Sequence, residues 1–236
     1  MQALATGELL NAWEQGRSRH PLDRGLLLYA LASPGIEPDT LADRPLGWRN
    51  AALLQLRQAT FGGCLRAYLD CPQCGGRLEF EHSAAELLAA HPPSAEPVDV
   101  GGWQFRPPTS RDLALIADAA DVESATCRLL QACLVPGAGD PPRVEELLPW
   151  LDRVEDALER ADPLAEISLA FACAICGHAW ASVFDIAHYL WEEVEAQAMR
   201  LLDEVHVLAC AYGWREPDIL ALTDARRAAY LARVAA

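Results

Sequence analysis

Two six-residue stretches decide the fold: CPQCGG, residues 71–76, and CAICGH, residues 173–178. Each is a C-x-x-C pair followed by glycine, so each can close a tight knuckle whose backbone N–H groups point at the thiolates. Gly75 and Gly177 stand where such a turn needs φ > 0, a conformation that a Cβ resists. Two knuckles brought face to face offer Cys71, Cys74, Cys173 and Cys176 as the closed tetrahedral shell of a structural zinc site. The 98 residues from 75 to 172 separate the pairs, far more than the spacing of a continuous zinc ribbon. The spacing therefore predicts a ribbon split in two by a helical insertion.

The surroundings of the pairs repeat. LRAYLD (65–70) and RLEFEH (77–82) flank the first, and EISLAF (166–171) and AWASVF (179–184) flank the second. All four carry the partial period-two alternation of short strands. Each hairpin then meets a helix start, Ser83 with Glu86 as a capping box and Asp185 at the matching place. At a constant offset of 102, Cys71, Cys74, Gly75, Leu78, Ser83, Leu87 and Leu88 fall on Cys173, Cys176, Gly177, Trp180, Asp185, Tyr189 and Leu190. One strand–knuckle–strand–helix unit thus occurs twice, and its halves belong together.

Composition narrows the class. A chain of 236 residues, 52% apolar, is long enough to bury a real core, and no run approaches the roughly 18 apolar residues of a membrane span. MQALATGELL has no basic region and carries Glu8 early, which is unlike a secretory signal. Eight cysteines in such a chain suggest reduced thiols and metal rather than disulfides. Cys64, Cys127, Cys133 and Cys210 lie in apolar patterns and are expected to be buried. All 19 basic residues are Arg, which removes Schiff-base and phosphate-loop lysines from consideration. Against 34 acidic residues they leave a net charge of −15, a poor match for nucleic acid.

Taken in order, the chain reads as an N-terminal helical region (1–63), the first knuckle hairpin and its helix (64–91), and an inserted β-hairpin with helices (92–164). The second knuckle hairpin with a long helix (165–213) and a helical tail (214–236) follow. Thr6 is expected to cap the first helix, Pro21 to open the second after His20, and DRPLGWRNAALLQLRQATF (43–61) to form a third that ends at Gly62-Gly63. HPPSAEP (91–97) and VPGAGDPP (135–142) read as breakers, and Gly101-Gly102 as the turn of a two-residue hairpin. Thr109 and Asp112 open a capped helix. The acidic run from Asp140 to Glu166 reads as a solvated face. Ile186, Leu190, Val194, Leu201, Val205, Leu208 and Tyr212 trace the stripe of a long helix, with Gly213 as its stop. Arg226, Arg227 and Arg233 make the tail mildly basic. The fold class is α+β, mostly helical, with a small antiparallel zinc-ribbon-like β core.

Three readings of the four cysteines compete: a structural zinc site, a redox pair, and a cage that has lost its metal. Redox chemistry needs one low-pKa pair, whereas two matched pairs with matching glycines point to one shared ion, so zinc is favoured. His178 is a candidate substitute ligand. The chain has no G-x-S-x-G, G-x-G-x-x-G, phosphate-loop or H-E-x-x-H motif, and no enzyme is expected.

Several longer stretches carry a resemblance. LLNAWEQGRSRHPLDRGLLLYA near the start, LGWRNAALLQLRQATFG before CPQCG, and PTSRDL in the insertion belong to it. So does CAICGHAWASVFDIAHYLWEEVEAQAMRLLDEVHVLACAYGWREPDILALTDARRAAYL. Together they resemble the T4-family baseplate hub assembly chaperones of contractile-tailed phages and related contractile injection systems, across nearly the whole chain. The resemblance implies a non-enzymatic role in the bacterial host cytoplasm or the assembled particle, with hub or spike proteins as partners. The competing expectation is a zinc-ribbon nucleic-acid or transcription adaptor.

Overall fold

Residues 2–90, 95–137 and 142–234 are described by the structure, a computed structural model. Helices α1 (Thr6–Gly16), α2 (Pro21–Ala32), α3 (Pro38–Ala42) and α4 (Leu46–Phe61) lead into hairpin β1 (Cys64–Asp70)–β2 (Arg77–Ser83) and α5 (Ala84–Ala90). The insertion holds hairpin β3 (Val98–Val100)–β4 (Trp103–Phe105), α6 (Ser110–Ile116), α7 (Val122–Cys133), α8 (Val144–Leu147), a 3₁₀ turn and α9 (Leu151–Ala161). Hairpin β5 (Ser168–Ala172)–β6 (Ala179–Val183), α10 (Ile186–Tyr212), α11 (Glu216–Leu220) and α12 (Asp224–Val234) complete a mostly helical α+β fold. Each hairpin is a separate two-stranded antiparallel sheet. Such a sheet is marginal by itself in water, so each must lean on something else.

That support is α10. It starts where Asp185 accepts the N–H groups of Ala187 and His188, and stops at Gly213, whose φ of 68° ends the helix. Ile186, Leu190, Val194, Leu201 and Leu208 are buried along its stripe, while Val205 and Tyr212 sit at the margin. The main core packs Leu28, Leu53 and Leu54 of α2 and α4 against Leu190, Trp191 and Val194. Leu65 of β1 and Leu169 of β5 enter the same core, so both knuckle hairpins are seated on one apolar body. At the far end, Arg227 of α12 is buried and paired with Glu204 and Asp224, which fastens the tail to α10.

The insertion has its own core of Val100, Phe105, Leu130, Leu147 and Val154. Polar links join it to the main body at the start of α4. Leu46 N–H donates to the Pro108 carbonyl at 2.9 Å, and Asn50 Nδ2 to the Leu164 carbonyl at 2.7 Å. Gly47 N–H donates to Asp162 Oδ2 at 2.9 Å. Arg57, at the other end of α4, forms a two-pronged pair with Glu193 of α10 and donates to the Gly62 and Cys64 carbonyls. One buried guanidinium therefore fixes the entry of β1 to α10.

Several sequence expectations need correction. Thr6 is the first helical residue of α1 and not its cap, because Glu8 reaches back to the Ala5 N–H and supplies the missing acceptor. Helix α3, begun by Pro38 at its first turn, was not expected. Cys64 and Cys210 are exposed and Cys127 is half-buried, so only Cys133 of that set is a core residue. Asp162, within the run read as a solvated face, and Arg227, in the mildly basic tail, are both buried. His20 accepts from the Leu22 N–H, and the Thr109–Asp112 capping box forms as expected. The Gly101-Gly102 turn has positive φ at both residues, as a two-residue hairpin requires. Residues 91–94 and 138–141 of the two breakers lie outside the described residues.

The Gly47–Asp162 contact leaves no room for a side chain, since a Cβ on Gly47 would overlap the carboxylate. Gly47→Ala should cost about 1–3 kcal/mol in denaturant unfolding, and close to nothing when made in an Asp162→Ala background. Burial holds the Asp162 carboxyl above its usual range, against the opposing pull of the Gly47 N–H. A raised native pKa means that the ionised form costs stability at neutral pH, and that this cost fades as pH falls through the native value. Asp162→Asn should therefore gain most relative to wild type near neutral pH, the gain shrinking as pH falls toward the acidic range. Unfolding midpoints measured across that range check the slope.

Candidate metal centre

Each knuckle is built by the same two backbone bonds. Gly75 N–H donates to the Cys71 carbonyl and Cys71 N–H to the Gly76 carbonyl, both at 2.9 Å. In the second, Gly177 N–H donates to the Cys173 carbonyl at 2.9 Å and Cys173 N–H to the His178 carbonyl at 2.8 Å. The corner glycines have φ of 69° and 74°, the left-handed conformation the sequence required of them. At Gly76 the knuckles come close: a Cβ there would lie 2.5 Å from Cδ1 of Ile175 in the opposite knuckle, a contact that this exposed side chain can relieve by turning away.

The structure brings all four expected cysteines together, their sulfurs within 4.8 Å of one another. Contacts cross between the pairs, Cys71 Sγ to Cys176 Sγ and Cys74 Sγ to Cys173 Sγ, both at 3.7 Å. In each pair the first cysteine is buried and the second reaches the surface. A disulfide needs sulfurs at about 2.05 Å, so these are thiols and not cystines. A tetrahedral ion with metal–sulfur bonds of about 2.3 Å has edges of about 3.8 Å, which the cross-pair contacts match. The cage therefore fits a metal ion with four sulfur ligands.

Charge makes the same point. Backbone N–H groups of Cys176 and Ile175 stabilise the Cys173 thiolate and bring that thiol down to about 6. The Gly76 N–H favours the Cys74 thiolate too, but the crowding sulfurs of Cys176, Cys173 and Cys71 outweigh it and push Cys74 up to about 12. Cys176 is raised as well, despite the His178 N–H that opposes the shift. Without a cation the cage holds thiolate charge poorly; a divalent ion reverses that balance.

His178, the candidate substitute ligand, lies parallel to the Trp180 ring at 5.8 Å and is not part of the sulfur cluster. The two hairpins meet through Phe80 and Phe171, edge to face with centroids 5.0 Å apart. Sequence reasoning missed Tyr189, whose hydroxyl accepts from the Arg66 N–H at 3.1 Å and donates to the Arg66 carbonyl at 2.9 Å. Its signal was the break in the internal repeat, where Tyr189 stands opposite Leu87. Among the described residues, no helix is long and apolar enough to cross a membrane. Comparison with family models, with curated proteins and with solved structures gives no match.

Removing one ligand should empty the cage. A metal held by all four sulfurs would close a long loop, so Cys71→Ser and Cys173→Ser should each bind less metal than wild type and lower Tm by about 8–20 °C. Exposed Cys210→Ser should stay within about 2 °C of wild type. Thermal unfolding with elemental analysis of each variant checks both.

Proposed function

We propose that this protein is a non-enzymatic assembly chaperone, or a minor component, of the hub of a contractile-tail or injection-system baseplate, held in shape by a structural zinc ion. The observation that carries the zinc reading is the cage: Cys71, Cys74, Cys173 and Cys176 hold their sulfurs within 4.8 Å of one another, a set that can supply all four ligands of a tetrahedral ion. A filled shell leaves no open coordination position for substrate or activated water, so the ion's role is to join the hairpins. Four thiolate ligands in tetrahedral array suit zinc, and iron is the competing metal of the same geometry. The assembly role draws its support from the sequence resemblance, which spans the N-terminal helices, both knuckles and α10. Helical faces and a groove beside the knuckles give such a protein surfaces for hub or spike proteins in the host cytoplasm.

A nucleic-acid adaptor is the alternative that paired zinc knuckles bring to mind. The arginines nearest the knuckles speak against it: Arg66 pairs with Glu81 at 2.7 Å and Arg77 with Asp70 at 3.3 Å. Their charge is answered within the chain, which lowers what they offer to phosphate.

Protein purified without chelators should contain about one zinc per chain by elemental analysis, released on acidification as the thiolates protonate. It should co-purify with hub or spike proteins expressed beside it, and its deletion should abolish sheathed particles. Normal particles from the deletion strain would remove the assembly role; a salt-sensitive complex with DNA near physiological ionic strength would restore the adaptor reading.

A further inference from the structure

Between the two knuckle hairpins and α10 runs a groove of about 710 Å³. Leu69, Phe80, Phe171 and Phe184 give it an apolar lining, and Tyr189 and Glu192 of α10 form part of its wall. Strand β1 contributes four consecutive residues, Arg66 to Leu69, so the strand presents its edge along with its side chains.

That edge is open. Beyond the two ends of the β1–β2 ladder, Ala84 N–H donates to the Gly63 carbonyl and Cys71 N–H to the Gly76 carbonyl. Pairs in an antiparallel ladder alternate between bonded and non-bonded, so Leu65, Ala67 and Leu69 bond to β2 while Arg66, Tyr68 and Asp70 face away. At Arg66 the Tyr189 hydroxyl does what a neighbouring strand would, accepting from the N–H and donating to the carbonyl. At Tyr68, one step further, the backbone N–H and carbonyl have no hydrogen-bond partner among the described residues; the residue is 62% exposed, and its ring meets the Arg77 guanidinium at 4.2 Å. An unpaired edge beside an apolar trough is a template for a third strand.

The charges select the occupant. Arg66 is matched by Glu81 and Glu193 by Arg57, whereas Glu192 has no ion-pair partner among the described residues. Asp185 adds a second carboxylate to the lining, on a chain whose net charge is −15. A basic strand is attracted to this wall, and a second copy of the acidic chain is repelled.

We propose that the groove docks an extended segment of a partner protein, with alternating apolar and basic residues, as an added strand on β1 at Tyr68. The proposal rests on the protein-binding role put forward above and names the chemistry of the partner. Apolar side chains of the segment enter the trough, its backbone pairs with the Tyr68 N–H and carbonyl, and its basic residues meet Glu192 and Asp185.

The probe is a fluorescein-labelled Arg-Val-Arg-Val-Arg-Val peptide, titrated by anisotropy against the zinc-loaded full chain. Saturable binding is expected, weakening as salt rises, together with slowed exchange of the Tyr68 amide. Tyr68→Pro removes the outward N–H without touching the β2 ladder and should weaken binding about tenfold or more, while Tyr68→Phe leaves it unchanged. Glu192→Arg should weaken binding severalfold and flatten the salt dependence. A peptide N-methylated on its pairing edge should not bind. Lack of saturation up to about 1 mM, equal binding of the N-methylated peptide, or indifference to Tyr68→Pro at wild-type zinc content would each overturn the proposal. Hub protein captured equally by wild type and Tyr68→Pro would remove the groove and leave the scaffold role standing. Failure of wild type to capture any hub protein would remove that role while the peptide titration still judged the groove.

Discussion

Four sulfurs within 4.8 Å of one another cannot all carry charge unless a cation sits among them. The rest of the structure depends on that constraint. The knuckle hairpins share no hydrogen-bond ladder, and each alone is too small to be stable. What joins them is the cage, the Phe80–Phe171 edge contact beneath it, and their common seat on α10. An ion held by the cage would set the spacing of the two hairpins, and with it the width of the groove beside them.

Buried charge does the second part of the joining. Arg57 holds the entry of β1 to α10, Asp162 holds the end of α9 to the start of α4, and Arg227 holds α12 to α10. Each stands at a seam between elements far apart in sequence, where an apolar contact would allow sliding. A directional hydrogen bond with a desolvated charge fixes one relative position and penalises the others. The Asp162 contact is the least balanced, because its Oδ1 has no hydrogen-bond partner among the described residues.

Features written in local chemistry were legible in the sequence. The knuckles, the φ > 0 glycines, the Gly101-Gly102 turn and the α10 stripe each follow from residues a few positions apart. The internal repeat added the one long-range inference, that Cys71 and Cys74 belong with Cys173 and Cys176. The buried charges were not legible, since a lone Arg in LLQLRQAT or an Asp closing an acidic run carries no periodicity to mark it as interior. Cys64 was misread for a related reason. Apolar neighbours along a strand do not say which face a residue takes, and Cys64 Sγ turns outward toward Glu81 at 3.7 Å. The open edge of β1 needed hydrogen-bond parity, which only the paired structure supplies.

The long separation of the two knuckles also has a consequence in time. During synthesis, Cys71 and Cys74 emerge 102 residues ahead of Cys173 and Cys176. At about 5–20 residues per second, the early thiols wait about 5–20 s for their counterparts. Until then they are an ordinary dithiol, open to oxidants and to stray soft metals. A ribosome that stalls within the insertion releases a chain with half a coordination shell and an unanchored hairpin. An ion that needs all four cysteines would act as a completeness check, locking only those molecules whose translation has run past the second knuckle.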